Sequence, residues 1–127
     1  MRQKALNVPG MEHPMGVPLA CRVGNVVHTS AVLGKDPQTG EVPADADSQA
    51  RHCFATLRAV LAAGGLDFGD VVKITIFVKD NADRDAVFAH WGAHFPDPAH
   101  MPARHTLVQP LRNGMLVQLE AIAVARD

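Results

Sequence analysis

Two charged residues near the C-terminal end stand in apolar company. Arg104 opens the run Pro102-Ala103-Arg104-His105-Thr106-Leu107-Val108-Gln109, and Glu120 lies within Met115-Leu116-Val117-Gln118-Leu119-Glu120-Ala121-Ile122-Ala123-Val124. A guanidinium is planar and permanently charged, so it can clamp a carboxylate through two parallel N–H bonds. A carboxylate shielded by apolar neighbours has its pKa raised and becomes a better proton acceptor. Together they could bind an organic acid and activate a water beside it. The same two residues could instead form a buried ion pair, whose desolvation offsets much of its Coulombic gain. His105, next to the arginine, could add an acid/base group that titrates near neutral pH, or face solvent or a subunit interface.

Other reactive side chains carry weaker patterns. His90 and His94 stand at i, i+4 on a helix, a spacing that can hold zinc. No third ligand is evident, both flank Trp91, and a surface pair is the reading adopted, with no metal assigned. Cys21 and Cys53 form no CxxC pair and read as reduced, buried thiols of a cytosolic protein. His13, His28, His52 and His100 show no readable pattern, and no Gly-rich nucleotide loop occurs.

The elements that must position these groups follow from periodicity and turn chemistry. Residues 1–18, rich in Pro, Gly and Met, read as an irregular arm that can end on a sheet edge. Leu19 to Val23 and Val26 to Thr29 read as a hairpin around Gly24-Asn25, and Ala31 to Leu33 continues its second strand. Asp36-Pro37 and Thr39-Gly40 mark a loop. A helix capped by Asp45 or Asp47 carries Ala50, Cys53, Phe54, Leu57, Val60 and Leu61 on one face and leaves through Gly64-Gly65. Val71 to Lys79 alternates as a strand, with Val72, Ile74, Ile76 and Val78 on one face. Asn81 or Asp83 caps a second helix over Arg84 to Phe95, ended by Pro96-Asp97-Pro98. Asn113-Gly114 tolerates the positive φ of a primed turn, so the Arg104 and Glu120 runs read as one hairpin. This order predicts an α+β fold, a mixed five-stranded sheet with two helices on one face. The uncovered face then calls for an oligomer.

The chain has 127 residues, enough for a single domain spanning 1–127, and its formal net charge is -1. Hydrophobic residues make up 47% and charged residues 20%, a globular rather than a disordered balance. No Lys/Arg block suits a nucleic-acid backbone. No apolar run reaches the roughly 18 residues of a membrane helix. The N-terminus lacks the apolar run of a signal peptide, which points to the cytoplasm.

Read together, the pieces resemble the reactive intermediate imine/enamine deaminases, the Rid or YjgF-like family. They are Val23-Gly24-Asn25, Thr29-Ser30, Asp36-Pro37-Gln38-Thr39-Gly40, the strand from Val71 to Asp80, Pro102-Ala103-Arg104, and Val117 to Val124. The resemblance covers about Val23 to Val124. It implies a chorismate-mutase-like fold and a homotrimer around a closed central barrel, with active sites in the clefts between subunits. It implies hydrolysis of 2-imino or 2-enamino acids to 2-oxo acids and ammonia, without metal or organic cofactor. Arg104 matches the arginine that binds the substrate carboxylate, and Glu120 the glutamate that positions water. Ser30 falls on the family's Ser-Gly-Gln-Ile segment, which here reads Ser30-Ala31-Val32-Leu33. Val17 replaces the tyrosine of the loop over the site, and the chain has 0 tyrosines. The more apolar opening resembles divergent branches that act on aminomuconate-like compounds. The competing reading is a trimer that binds small carboxylates without turnover, or acts like a chaperone.

Overall fold

The structure is a computed structural model, describing residues 2–126. The chain runs β1 (Lys4–Leu6), β2 (Ala20–Val23), β3 (Val26–Thr29), β4 (Val32–Leu33), α1 (Ala46–Ala63), β5 (Val71–Val78), α2 (Arg84–His94), β6 (Ala103–Val108) and β7 (Val117–Val124). All strands join one sheet in the order β1-β2-β3-β7-β5-β6, with β4 also paired to β7. Among the described residues the sheet thus has 7 strands, not the expected five. The arm supplies β1, which pairs antiparallel with β2 at the sheet edge. The strand expected to run on through Ala31 to Leu33 instead breaks at Ser30 and Ala31, and β4 pairs separately with β7.

The hairpin expected between the Arg104 and Glu120 runs does not form. Asn113 and Gly114 do adopt positive φ, at 59° and 78°. The chain reverses there, yet β7 pairs antiparallel with β5, and β5 pairs parallel with β6 on its other side. A parallel neighbour needs a crossover, and α2 supplies it.

The expected helices appear close to their predicted bounds. Asp45 caps α1, its carboxylate accepting the Ser48 N–H at 2.9 Å. Gly65 leaves α1 with φ +76°. Neither residue proposed to cap α2 does so with its side chain. Asp80 instead accepts the Ala82 N–H at 2.9 Å and caps a 3-10 turn, Asn81–Asp83, that leads into α2.

The core lies between the helices and one sheet face. Phe54, Leu57 and Leu61 of α1 meet Ile74, Ile76 and Leu119 there, all fully buried. Burying each such side chain contributes roughly 1.5–3 kcal/mol. A β-bulge at Val71/Lys73 shifts the β5 alternation. Val71 therefore joins Ile74, Ile76 and Val78 inside, while Val72, expected inside, is 52% exposed. On the opposite face no helix covers Val26 and Val124, cross-strand partners that are each 43% exposed. Among the described residues no helix is long and apolar enough to cross a membrane.

Candidate active site

Strand register decides where the predicted site residues stand. Ile74 is level with Arg104, whereas Thr75 is level with both His105 and Glu120. Laterally paired residues share a face, and successive residues alternate. Arg104 therefore lies on the helix-covered face and Glu120 on the open face. Its guanidinium confirms this, with Cζ 4.0 Å from the Phe88 ring centroid and 5.0 Å from that of Trp91, both on α2. Within one chain the sheet stands between the two residues, so the buried ion pair is excluded. Glu120 is exposed in the single chain and lacks the apolar shielding its neighbours suggest. Alternation explains this: Leu119 and Ala121 point into the core while Glu120 points away.

The open face does bring two predicted residues into one row. His105, Thr75 and Glu120 lie across β6, β5 and β7. Neighbouring strands are about 4.8 Å apart, which puts the imidazole-bearing and carboxylate-bearing backbones about 10 Å from each other. Thr75 sits between them, on the β5 face opposite Ile74 and Ile76.

Ser30 fastens the loop that precedes β2. Its hydroxyl donates to the Pro18 carbonyl at 2.7 Å and its N–H to the Leu19 carbonyl at 2.9 Å. The adjacent Thr29 accepts the Ala121 N–H on its hydroxyl at 2.9 Å. That bond spans the gap between β3 and β4 and fixes β7 beside Glu120. No sequence signal distinguishes this threonine. Val17 is exposed and stands on the rim of an open hollow formed with Ala5, Val8 and Gly16. A second, more enclosed cavity lies under residues 10–14. Arg104, His105 and Glu120 line neither hollow.

The remaining reactive groups are committed elsewhere. Cys53 is fully buried, and burial pushes its thiol far above the ordinary range, so it is no nucleophile. Cys21 and Cys53 are both free. His90 pairs with Asp47 at 3.0 Å, while His94 packs against the rings of Phe54 and Phe68. The described residues contain no group of three metal-ligating side chains.

A single sheet with two helices on one face among the described residues, and a carboxylate and an imidazole on the other, defines an α+β protein. The Endoribonuclease L-PSP family profile matches residues 17–125, and the chain belongs to that family, the Rid or YjgF-like proteins. The 2-iminobutanoate/2-iminopropanoate deaminase of Escherichia coli K12 is 42% identical over 106 residues, covering 82% of this chain and 83% of the relative. The putative reactive intermediate deaminase TdcF of the same strain is 36% identical over 104 residues, covering 80% and 81%. The crystal structure of the E. coli YjgF gene product superposes with a TM-score of 0.87 at 36% identity, covering 97% of this chain and 99% of that one.

Proposed function

We propose that this chain is a hydrolytic deaminase of reactive 2-imino and 2-enamino acids, working as a homotrimer. The observation that carries the reading is the placement of Arg104 and Glu120 on opposite faces of one sheet. Arg104 lies on the edge strand and Glu120 on the face that no helix covers among the described residues, so a second copy laid on that face can bring its own Arg104 to Glu120. The named activity of the E. coli relative supports the reaction class.

In this reading Arg104 holds the substrate carboxylate, and the Phe88 and Trp91 rings hold its guanidinium plane. The imine carbon is already electrophilic, so the chemistry asks mainly for orientation and a proton acceptor. Water adds to the imine carbon as the C=N π bond breaks, Glu120 taking a proton from the water and His105 giving one to the nitrogen. The carbinolamine then collapses: protonated Glu120 gives its proton to the nitrogen, the hydroxyl gives its proton to His105, the C–N bond breaks and C=O forms, giving a 2-oxo acid and ammonia with both residues restored. Val17, in the position of the family's tyrosine, leaves more room at the opening and favours a longer acid, such as a 2-aminomuconate-like compound. A ribonuclease reading, suggested by the family's description, finds little support in a chain of net charge -1.

Ammonia release from freshly generated 2-iminobutanoate and from 2-aminomuconate tests the proposal. Arg104→Ala and Glu120→Gln are each expected to lower kcat/KM at least about 100-fold, a loss typical of removing general acid–base catalysis. Absence of release from every substrate, or variants as active as the parent, overturns it. Stabilisation by 2-oxo acids that needs Arg104 but brings no turnover would support the carboxylate-binding reading instead.

A further inference from the structure

Strand β7 changes neighbours beside the candidate base. On one side it pairs with β3 from Val124 to Ile122 and with β4 from Leu119 to Gln118. Among the described residues, Glu120 and Ala121 fall between these pairings, where the chain leaves the sheet at Ser30 and Ala31. On its other side Glu120 pairs with Thr75 of β5. A break in a ladder gives up main-chain hydrogen bonds, and buried N–H groups left without an acceptor are rare. Ala121 is buried, and its N–H meets a side chain in place of a strand: the Thr29 hydroxyl accepts it at 2.9 Å.

Thr29 is itself held in place. Its backbone is level with Ala20 of β2. The next residue anchors the chain to the segment before β2. The Ser30 hydroxyl donates to the Pro18 carbonyl at 2.7 Å and the Ser30 N–H to the Leu19 carbonyl at 2.9 Å. The Leu19 N–H in turn donates to the Asn7 side-chain oxygen at 3.2 Å. A β-branched side chain is also stiff about χ1. The bond from Thr29 therefore ties the residue after Glu120 to a braced part of the fold.

Resting on the deaminase reading, we infer that Thr29 is a positioning residue for Glu120. Its hydroxyl stands in for the missing ladder bond and so fixes where the Glu120 carboxylate meets the attacking water. It acts through β7 and not on the substrate. A proton acceptor works only within hydrogen-bond reach of the water, and a misplacement of about 1 Å can cost about 100-fold in rate. Substrate binding falls to Arg104 on β6, which this bond does not reach. Loss of the bond therefore bears on kcat and spares KM.

Steady-state ammonia release from 2-iminobutanoate and from 2-aminomuconate tests the inference, with all variants assayed well below their unfolding temperatures. Thr29→Val keeps the shape and removes the acceptor. Its kcat is expected to fall at least about tenfold, with KM changed less than about twofold. Thr29→Ala removes the same acceptor without adding an apolar group, and is expected to match it. Thr29→Ser restores the oxygen and is expected to lie within about threefold of the parent. Val60→Ala weakens the buried face of α1 and is expected to keep the parent kcat, which separates placement of the base from a general loss of stability. A parent-like kcat in Thr29→Val, an equal loss in Thr29→Ser or in Val60→Ala, or a change confined to KM overturns the inference. Where Glu120→Gln loses activity and Thr29→Val does not, the positioning role alone falls. Where Glu120→Gln matches the parent, the deaminase reading falls and takes this inference with it.

Discussion

Arg104 shows how one side chain depends on neighbours far away in sequence. Its charge is fixed, but its orientation is set by the Phe88 ring 4.0 Å away. A cation over an aromatic face contributes about 0.5–2 kcal/mol, more as water is excluded. Phe88→Leu keeps the apolar volume and removes the π face. KM for an imino acid is expected to rise about threefold to thirtyfold by that energy, with kcat much less affected. Steady-state kinetics with Phe88→Tyr as the conservative control checks this. Identical KM values in Phe88→Leu and parent would show that the ring does not hold the guanidinium. The charge and fork of Arg104 are readable from its residue type. Its aromatic support is not, because only the packing of α2 beside β6 brings Phe88 and Trp91 to it.

At the scale of the element, α1 is bolted to the sheet by a polar residue. Gln49 is fully buried, and its amide is used at both ends. It donates to the carbonyls of Pro43 at 2.7 Å and Gly114 at 3.0 Å, and accepts the Leu116 N–H at 2.7 Å. Gly34 packs so close that an added Cβ would stand 2.7 Å from the Gln49 Cβ. Gln49→Leu strands these backbone groups at about 1–3 kcal/mol each, so a loss of about 3 kcal/mol or more is expected in urea unfolding. A variant within 1 kcal/mol of the parent would mean water takes over the bonds. Helix periodicity puts Ala50 and Cys53 on the buried face and omits Gln49, since a polar type gives no sign that its partners sit in turns 6 and 65 residues distant.

Where α1 meets α2, packing also makes stability depend on pH. Burial lowers the His94 pKa, helped by the charge of Arg58 and of His90. The folded state therefore disfavours the imidazolium. Stability is complete above the unfolded value of about 6.5 and falls as pH drops below it, because the unfolded chain then binds the proton more readily. The urea midpoint is expected to be lower at pH 5.5 than at pH 7.5, and His94→Phe to flatten that slope. The carboxylates lowered by backbone N–H bonds, such as Asp45 and Asp97, act in a separate and more acidic window. An unchanged slope in His94→Phe would assign the effect to another group.

On the scale of the whole molecule, among the described residues one sheet face has helices and the other has none. The bare face carries Val26 and Val124 beside the row of Thr75, His105 and Glu120. The proposed trimer covers it. Val124→Lys adds a charge to that face without touching the core, and sedimentation is expected to show a monomer in place of a trimer, with deaminase activity lost. A trimeric and active Val124→Lys would place the subunit contact elsewhere.

Some of this was fixed by order along the chain alone. Alternation of two and of 3.6 marks Val71 to Lys79 as a strand and Asp45 to Ala63 as a helix, because local periodicity follows backbone geometry. The types of Arg104 and Glu120 allow a carboxylate clamp with a proton acceptor, or an ion pair. Their order, with the motifs around them, carries the family resemblance. Tertiary structure decided which strands are neighbours. The Asn113-Gly114 turn reverses the chain, but a turn sets direction and not partner. Strand β5 buries Ile74 and Ile76 under the helices from an interior position, between β6 and β7. That insertion, with the register it imposes, puts Arg104 on one face and Glu120 on the other. The pair that looks like one site in the sequence therefore stands on opposite faces of the sheet, and the proposed trimer is what would join the two.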